Sequence, residues 1–314
     1  MMPVTMVGRA GELDELAGVW ARVVAGTGAG GGPRTAIVSG PAGSGKSRLV
    51  EAALAAFDPA PGTVLFGRAR VHSPAPYDWL AAVLSDHRGG ELPVPAGALA
   101  WLAQRGGAGG ARYAPGALLR LAVTVVRTLV RPGPAAIVVE DLHALDPASL
   151  NLIAELAAAP GLPALLLVTS RPPGESDSAR LTERTLARLA GTPGAVRQYL
   201  GPLAAAHVGR LLEQVTGAPP SPAQVRSVHQ RSGGNPYRLT ELLATAPAQR
   251  VAPVPVAEVA LRAAAGHLAA GLPETALRAV EVGLPDAADP VPLLRLGVAA
   301  ATAAGRDADA ARYA

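Results

Sequence analysis

Apolar residues in this chain fall into two kinds of run. Four runs are short and almost uninterrupted: Thr35-Ala36-Ile37-Val38-Ser39, Val64-Leu65-Phe66, Ala135-Ala136-Ile137-Val138-Val139 and Leu165-Leu166-Leu167-Val168-Thr169. A weaker fifth lies near Val196 to Leu200. All five read as strands, and the length and lack of polar interruption of 35–39, 135–139 and 165–169 predict burial within a parallel sheet. Elsewhere the apolar positions recur every three to four residues, the mark of a helix with one face inward. Leu13, Leu16, Trp20 and Val23 form one such stripe, and Leu49, Val50, Ala53, Leu54 and Phe57 another. Further helices are predicted over 77–84, 98–104, 118–130, 147–159 and 181–189. Strands alternating with helices predict an α/β fold with a doubly wound parallel sheet over residues 1–201.

From Pro202 the strand pattern stops. One helix is predicted over 204–215. A second opens at Ser221-Pro222 and closes at Gly233-Gly234, and a third opens at Asn235-Pro236. A polar N-cap followed by proline at the first helical position is the signal in both openings. Residues 202–246 therefore read as a small helical domain, and 247–256, rich in proline, as a linker. In the remaining stretch, 257–314, Ala270-Gly271-Leu272-Pro273-Glu274-Thr275-Ala276 and Ala304-Gly305-Arg306-Asp307-Ala308-Asp309-Ala310 lie 34 residues apart. Helix, glycine turn and helix at that period is a tetratricopeptide-like layout.

One stretch carries explicit chemistry. Gly40-Pro41-Ala42-Gly43-Ser44-Gly45-Lys46-Ser47 fits the pattern G-x-x-x-x-G-K-[ST], with a predicted strand before it and a helix, starting at Arg48, after it. In that context the glycines let backbone N–H groups turn toward phosphate oxygens, and the helix N-terminus adds partial positive charge. Lys46 is placed to reach the β- and γ-phosphates and the Ser47 hydroxyl to sit on Mg²⁺. The chain has 28 Lys and Arg residues, and Lys46 is the single lysine among them. A compact ammonium is kept at the one position where a phosphate would crowd it.

A nucleotide's Mg²⁺ needs a carboxylate near the phosphate loop, and hydrolysis needs a second one to orient and deprotonate water. Glu140 and Asp141 end the third apolar run, at the carboxyl edge where ligands sit in open parallel sheets. By position Glu140 joins the metal's shell and Asp141 handles the water, although the reverse order is open. At the neighbouring tip, Ser170 or Thr169 is placed to bring a hydroxyl near the γ-phosphate, and Arg171 either a charge or an ion pair. Arg180, Arg184 and Arg188 read as solvated helix positions rather than fingers supplied to another subunit. The six histidines show no metal-ligand spacing, and His143 earns notice only for following the acids.

Composition adds limits. The net charge is +4 and the pI about 9.9. The arginines are scattered, without a basic run or interleaved aromatics, so the basic balance does not predict a nucleic-acid surface. The absence of cysteine excludes disulfides and thiolate metal sites and fits a reducing cytoplasm. No signal-peptide pattern and no membrane-spanning run is visible.

With these residues in hand, the chain resembles the ATPase module of the STAND/AAA-type signalling NTPases over about residues 6–246. Within that class it is closest to the large ATP-binding LuxR-type regulators of actinobacteria. Val7-Gly8-Arg9 followed by Glu12-Leu13 looks like the opening motif, which borders the adenine. Gly40 to Ser47 matches Walker A, and Ile137 to Asp141, continuing to Leu150, is similar to an extended Walker B. There an aromatic is usual where Ala144 stands. Leu165 to Arg171 looks like the sensor strand, and Gly234-Asn235-Pro236-Tyr237 like the lid's G-x-P motif, whose Pro236 borders the base. The resemblance implies an ATP- or ADP-binding regulatory ATPase with Mg²⁺, slow hydrolysis and a partner or self-contact through residues 257–314. A non-hydrolysing scaffold and an ATP-dependent DNA-binding regulator are the competing classes. Those regulators continue to a helix-turn-helix, which is not recognisable here, so direct DNA binding is not expected.

Overall fold

The computed structural model describes residues 6–26, 32–69, 75–86, 92–105, 113–131, 133–172, 177–245, 256–269, 271–287 and 289–313. Residues 27–31 of the glycine-rich connector, the loop around 106–110 and residues 246–255 of the proline-rich linker lie outside them. In chain order the elements are α1 (Ala10–Gly26), β1 (Arg34–Ser39), α2 (Lys46–Ala56), β2 (Thr63–Arg68), α3 (Asp78–Asp86), α4 (Ala96–Leu102) and α5 (Pro115–Leu129). Then come β3 (Ala135–Glu140), α6 (Pro147–Ala157), β4 (Ala164–Ser170), α7 (Asp177–Ala190), β5 (Val196–Tyr199), α8 (Ala205–Thr216), α9 (Pro222–Ser232) and α10 (Pro236–Thr245). The last four helices are α11 (Val256–Ala269), α12 (Pro273–Gly283), α13 (Val291–Ala303) and α14 (Asp307–Tyr313). The chain divides into two compact units, Met1–Leu243 and Ala244–Ala314. Among the described residues no helix is long and apolar enough to cross a membrane.

The first unit is built on a five-stranded parallel sheet in the order β2-β3-β4-β1-β5. Strand period sorts the uninterrupted runs onto two cores. Ile37, Ile137, Val139, Leu166 and Val168 face one, where α3, α5 and α6 pack. Ala36, Val38, Val138, Leu165 and Leu167 face the other, against Leu16, Val19 and Trp20 of α1 and Leu49 and Val50 of α2. All residues of β3 and β4 are buried. Each Leu or Val so enclosed contributes about 1.5–3 kcal/mol relative to exposure. The edge strands β2 and β5 instead alternate buried and exposed positions, with Val64 and Phe66 exposed in β2, and β5 gave the weaker sequence signal. The small helices α8, α9 and α10 have their own core of Leu203, Val208, Leu212 and Leu239.

Asp146 ties the sheet's carboxyl edge to two helices. Its side chain caps α6 by accepting from the N–H groups of Ala148 and Ser149, both at 2.9 Å. It also accepts from the N–H groups of Tyr77 and Asp78 at 3.1 Å, at the start of α3. One buried carboxylate thus accepts from four backbone donors at two helix starts, Asp78 N–H sharing itself with Ala75 O at 3.2 Å.

The second unit packs α11 to α14 around Leu277, Val280, Leu293, Ala300 and Ala301, with Tyr313 buried at the end. Its two glycine turns, α11 to α12 and α13 to α14, repeat atom for atom. Gly271 N–H donates to Leu268 O and Gly305 N–H to Thr302 O, each at 3.1 Å. Leu272 N–H donates to His267 O and Arg306 N–H to Ala301 O, each at 2.9 Å. These are the paired bonds that end a helix on a left-handed glycine. The Tyr313 ring rests on Gly297, where a Cβ would lie 2.7 Å from the ring.

Candidate functional site

The five strands point their carboxyl ends the same way, so the segments leaving β1, β3 and β4 meet at one edge. The loop after β1 is Gly40 to Gly45. Gly40 N–H donates to Ser170 O at 3.3 Å, which ties the loop to the tip of β4. Gly43 and Gly45 are left-handed, with φ of 75° and 92°, a conformation glycine adopts without steric cost. Lys46 opens α2 and is 7% exposed. Its ammonium donates to the carbonyls of Gly40 and Pro41, both at 3.0 Å. Burial lowers the Lys46 pKa from its ordinary value, against the pull of Asp141 and, more weakly, of Glu140, with Arg171 adding to the lowering. Ser47 follows in the first turn of α2, exposed, and Arg48 is exposed beside Glu51 at 3.7 Å.

The two acids diverge. Glu140 is 2% exposed and sits directly across from Arg68 in the β2–β3 register. Arg68 donates to one oxygen of Glu140 from Nε at 2.8 Å and from a terminal nitrogen as well. Asp141 turns the other way. It has a left-handed φ of 52°, and its N–H donates to Thr169 Oγ1 on β4 at 3.0 Å. His143 completes the cluster. Its Nδ1 accepts from Arg171 N–H at 3.3 Å and lies 4.0 Å from Asp141 Oδ1. Burial holds the His143 pKa below its ordinary value, opposed by Asp141 and helped by Arg171 and Lys46. The ring is therefore neutral near pH 7, with the proton on Nε2. Ser170 is fully buried and its hydroxyl donates to Arg171 O at 2.9 Å.

The helices of α8–α10 close over the loop. Asn235 Nδ2 donates to Ala42 O at 2.8 Å, and Tyr237 N–H to Gly43 O at 3.2 Å. Pro236 lies above Gly45, 4.0 Å from where a Cβ would stand. A cavity of about 660 Å³ opens between the loop, at Pro41 to Ser44, and the lid, at Gly201, Pro202, Gly233, Pro236 and Tyr237. The opening motif braces this wall from behind: Arg9 pairs with Glu12 at 2.9 Å and donates to Gly201 O. Gly8, with φ of 75°, accommodates the His207 ring, which stands 2.5 Å from where a Cβ would be, and Val7 is buried beside it.

Sequence reading named Lys46, Ser47, Glu140, Asp141, Ser170 and Arg171, and the fold brings all of them to this edge. It assigned no role to Arg68, took Thr169 only as an alternative to Ser170 for a hydroxyl near the γ-phosphate, and read Asn235 only as a helix N-cap. Arg68 could be found only by knowing that β2 lies beside β3 in that register. Ser44 Oγ is buried without a hydrogen-bond partner. An orphaned hydroxyl inside a glycine loop with a buried ammonium fits a polyanion that supplies acceptors. Among the described residues no group of three or more His, Asp or Glu could hold a metal alone.

A five-stranded parallel sheet with a glycine loop and a buried lysine after its first strand, and an acid pair at the tip of another, is a fold like that of the P-loop ATPases. The AAA ATPase domain family matches residues 5–168, just over half of the chain, and the chain belongs to that family. Among solved structures, the ORC1 protein of Aeropyrum pernix, in complex with DNA, is similar at 16% identity and a TM-score of 0.52. The match covers 96% of this chain and 85% of that one. Cdc6p from Pyrobaculum aerophilum is similar at 15% identity and a TM-score of 0.51, over 90% and 68% of the two chains. At these identities the likeness shows the fold alone. A STAND protein with a tetratricopeptide repeat sensor from Pyrococcus horikoshii matches at 16% identity, over 79% of this chain and 32% of that one, with a TM-score of 0.44. That is too low to carry an argument. No curated protein matches the chain.

Proposed function

We propose that this chain is a regulatory ATPase of the STAND type, similar to the large ATP-binding LuxR-type regulators. In this reading ATP and ADP, with Mg²⁺, bind between the phosphate loop and the lid, and slow hydrolysis to ADP and phosphate resets a conformational switch. The observation that carries it is the segment Asn235–Tyr237 seated on the loop that leads into Lys46, beside a cavity of about 660 Å³ lined by Pro41 to Ser44 and Pro236. Lys46 leaves its two carbonyls for the β- and γ-phosphates, a charge-assisted exchange. N–H groups of the loop and the first turn of α2, through Arg48, hold the remaining oxygens. Pro236 borders the base, and Val7-Gly8-Arg9 holds the wall behind it. Ser47 and Glu140 would hold Mg²⁺, which neutralises charge on the phosphates when bound. Asp141, the acid that pulls most on Lys46, orients water and accepts its proton. His143 and Arg171 hold the loop that carries it, with Ser170 and Thr169 bracing the β4 tip. The tetratricopeptide-like tail is the surface offered to a protein partner or a second copy, in the cytoplasm.

A second reading rests on one contact. The fork of Arg68 occupies Glu140, and a chain that kept this pair closed would bind nucleotide without turning it over. Turnover decides between the two. Nucleotide carried by the purified protein is measured first, then phosphate release from ATP with and without Mg²⁺. The ATPase reading expects bound ADP or ATP and slow, Mg²⁺-dependent release. Binding without release selects the scaffold, and no bound or bindable nucleotide overturns both.

A further inference from the structure

The contacts of Asn235 do two jobs from one side chain. Its Oδ1 accepts from the N–H groups of Tyr237 at 3.0 Å and Arg238 at 3.2 Å, capping α10. Its Nδ2 donates to Ala42 O in the phosphate loop at 2.8 Å. The adjacent backbone adds Tyr237 N–H to Gly43 O at 3.2 Å. The lid therefore grips the carbonyls of two successive peptide planes. In a trans peptide the carbonyl and the next residue's N–H point in opposite directions. Drawing Ala42 O and Gly43 O toward the lid turns the N–H groups of Gly43 and Ser44 the other way. Ser44 N–H accordingly points across the loop, in a long 3.3 Å bond to Pro41 O.

The grip leaves no slack. A Cβ on Gly43 would lie 2.6 Å from Tyr237 Cβ and 2.7 Å from Asn235 Oδ1. Nor can the gripping segment drift within the lid. Gly234, with φ of 69°, is packed so that a Cβ would lie 2.4 Å from Leu203 O. Leu203 N–H donates to Gly234 O at 2.8 Å, and the His229 ring bonds Leu203 O at 3.0 Å. A continuous set of bonds runs from the loop through Asn235 and Gly234 to Leu203, close to the Gly201 carbonyl that Arg9 holds.

We infer that Asn235 is a positioning residue for nucleotide binding: through Nδ2 it sets the phosphate loop's peptide planes before any ligand arrives, so loop conformation and lid position form one coupled element. This rests on the nucleotide-binding reading above. By reciprocity, a nucleotide that steadies the loop must tighten the lid by the same factor.

Two substitutions separate the latch from the cap. Asn235→Ser keeps a good N-cap but is too short to reach Ala42 O, whereas Asn235→Ala loses both functions. In the full chain, ATP and ADP affinity is measured by calorimetry, and nucleotide release by stopped flow. Backbone hydrogen exchange of residues 41–45 is followed without ligand. If the latch matters, Asn235→Ser weakens nucleotide binding about five- to tenfold, as one lost hydrogen bond does. It also speeds release and raises exchange in the loop, while its thermal midpoint stays near wild type. Asn235→Ala then binds no better than Asn235→Ser. The inference is overturned if Asn235→Ser matches wild type in affinity and loop exchange while only Asn235→Ala is impaired, because the cap alone is then at work. A wild-type chain that binds ATP and ADP while neither variant differs from it overturns the latch and leaves the nucleotide reading standing. A wild-type chain that binds neither overturns both.

Discussion

The phosphate loop and the turns of the helical tail both run on left-handed glycines, yet the glycines serve different ends. At Gly271 and Gly305, with φ of 72° and 70°, a Cβ would meet nothing within 4 Å. Only the backbone angle requires glycine there, and each turn is closed by bonds within its own hairpin. At Gly43 the angle is the same, but a Cβ would strike the lid. That glycine is needed for what comes to it from almost 200 residues away. Asp141 is a third case, a left-handed residue with a side chain, held by Thr169 from the neighbouring strand. The difference teaches that a shared dihedral marks a local turn in one unit and a tertiary contact in the other.

The largest effect expected is at Lys46. Lys46→Ala removes the one buried ammonium, and ATP affinity should fall on the order of 100-fold in a folded protein. Unchanged affinity by calorimetry would sink the phosphate-loop assignment. Asp141→Asn comes next and isolates chemistry from backbone. Asparagine tolerates the left-handed conformation, so the loop and ATP·Mg²⁺ binding should persist while turnover drops about 100-fold or more. If turnover survives and Glu140→Gln abolishes it, the two acids exchange roles.

The two glycine substitutions test the comparison itself. Gly43→Ala should cost about tenfold or more in nucleotide affinity, because both the angle and the lid resist the methyl group. Gly305→Ala should lower the tail's stability by about 1–2 kcal/mol and leave nucleotide affinity alone. Equal effects of both on binding would erase the distinction between them. The smallest effect concerns pH. With its folded pKa lowered by burial, His143 takes up its proton in the unfolded chain first. The stability tied to its neutral form is present above about pH 6.5 and is lost as pH falls toward and through the folded value. Urea midpoints between pH 7.5 and 5 should fall less steeply in His143→Gln than in wild type.

Much of this was readable along the chain. Buried strands announced themselves as uninterrupted apolar runs because a central strand has no polar face to show. Thr35–Ser39 and Leu165–Thr169 are the clear cases. Edge strand β5 was faint because Arg197 and Tyr199 face solvent, and alternation over four residues is a weak signal. The Gly40–Ser47 pattern was legible because backbone N–H groups, not neighbouring side chains, define the cradle. Arg68 was illegible because its partner Glu140 lies 72 residues away, across a strand pairing that no local pattern encodes.

By itself, then, the sequence determined which segments are strands, which turns need glycine, where the ammonium and the acids stand, and the 34-residue period of the tail. These depend on side-chain period and on backbone angles, which act over a few residues. Only the tertiary structure decided that the order β2-β3-β4-β1-β5 sets Arg68 against Glu140 and leaves Asp141 facing the phosphate loop. It also decided that Asn235 reaches Ala42, so that Gly43 answers to the lid as well as to its own φ. Those pairings join residues far apart in the chain, and packing of the two buried sheet faces is what brings them together.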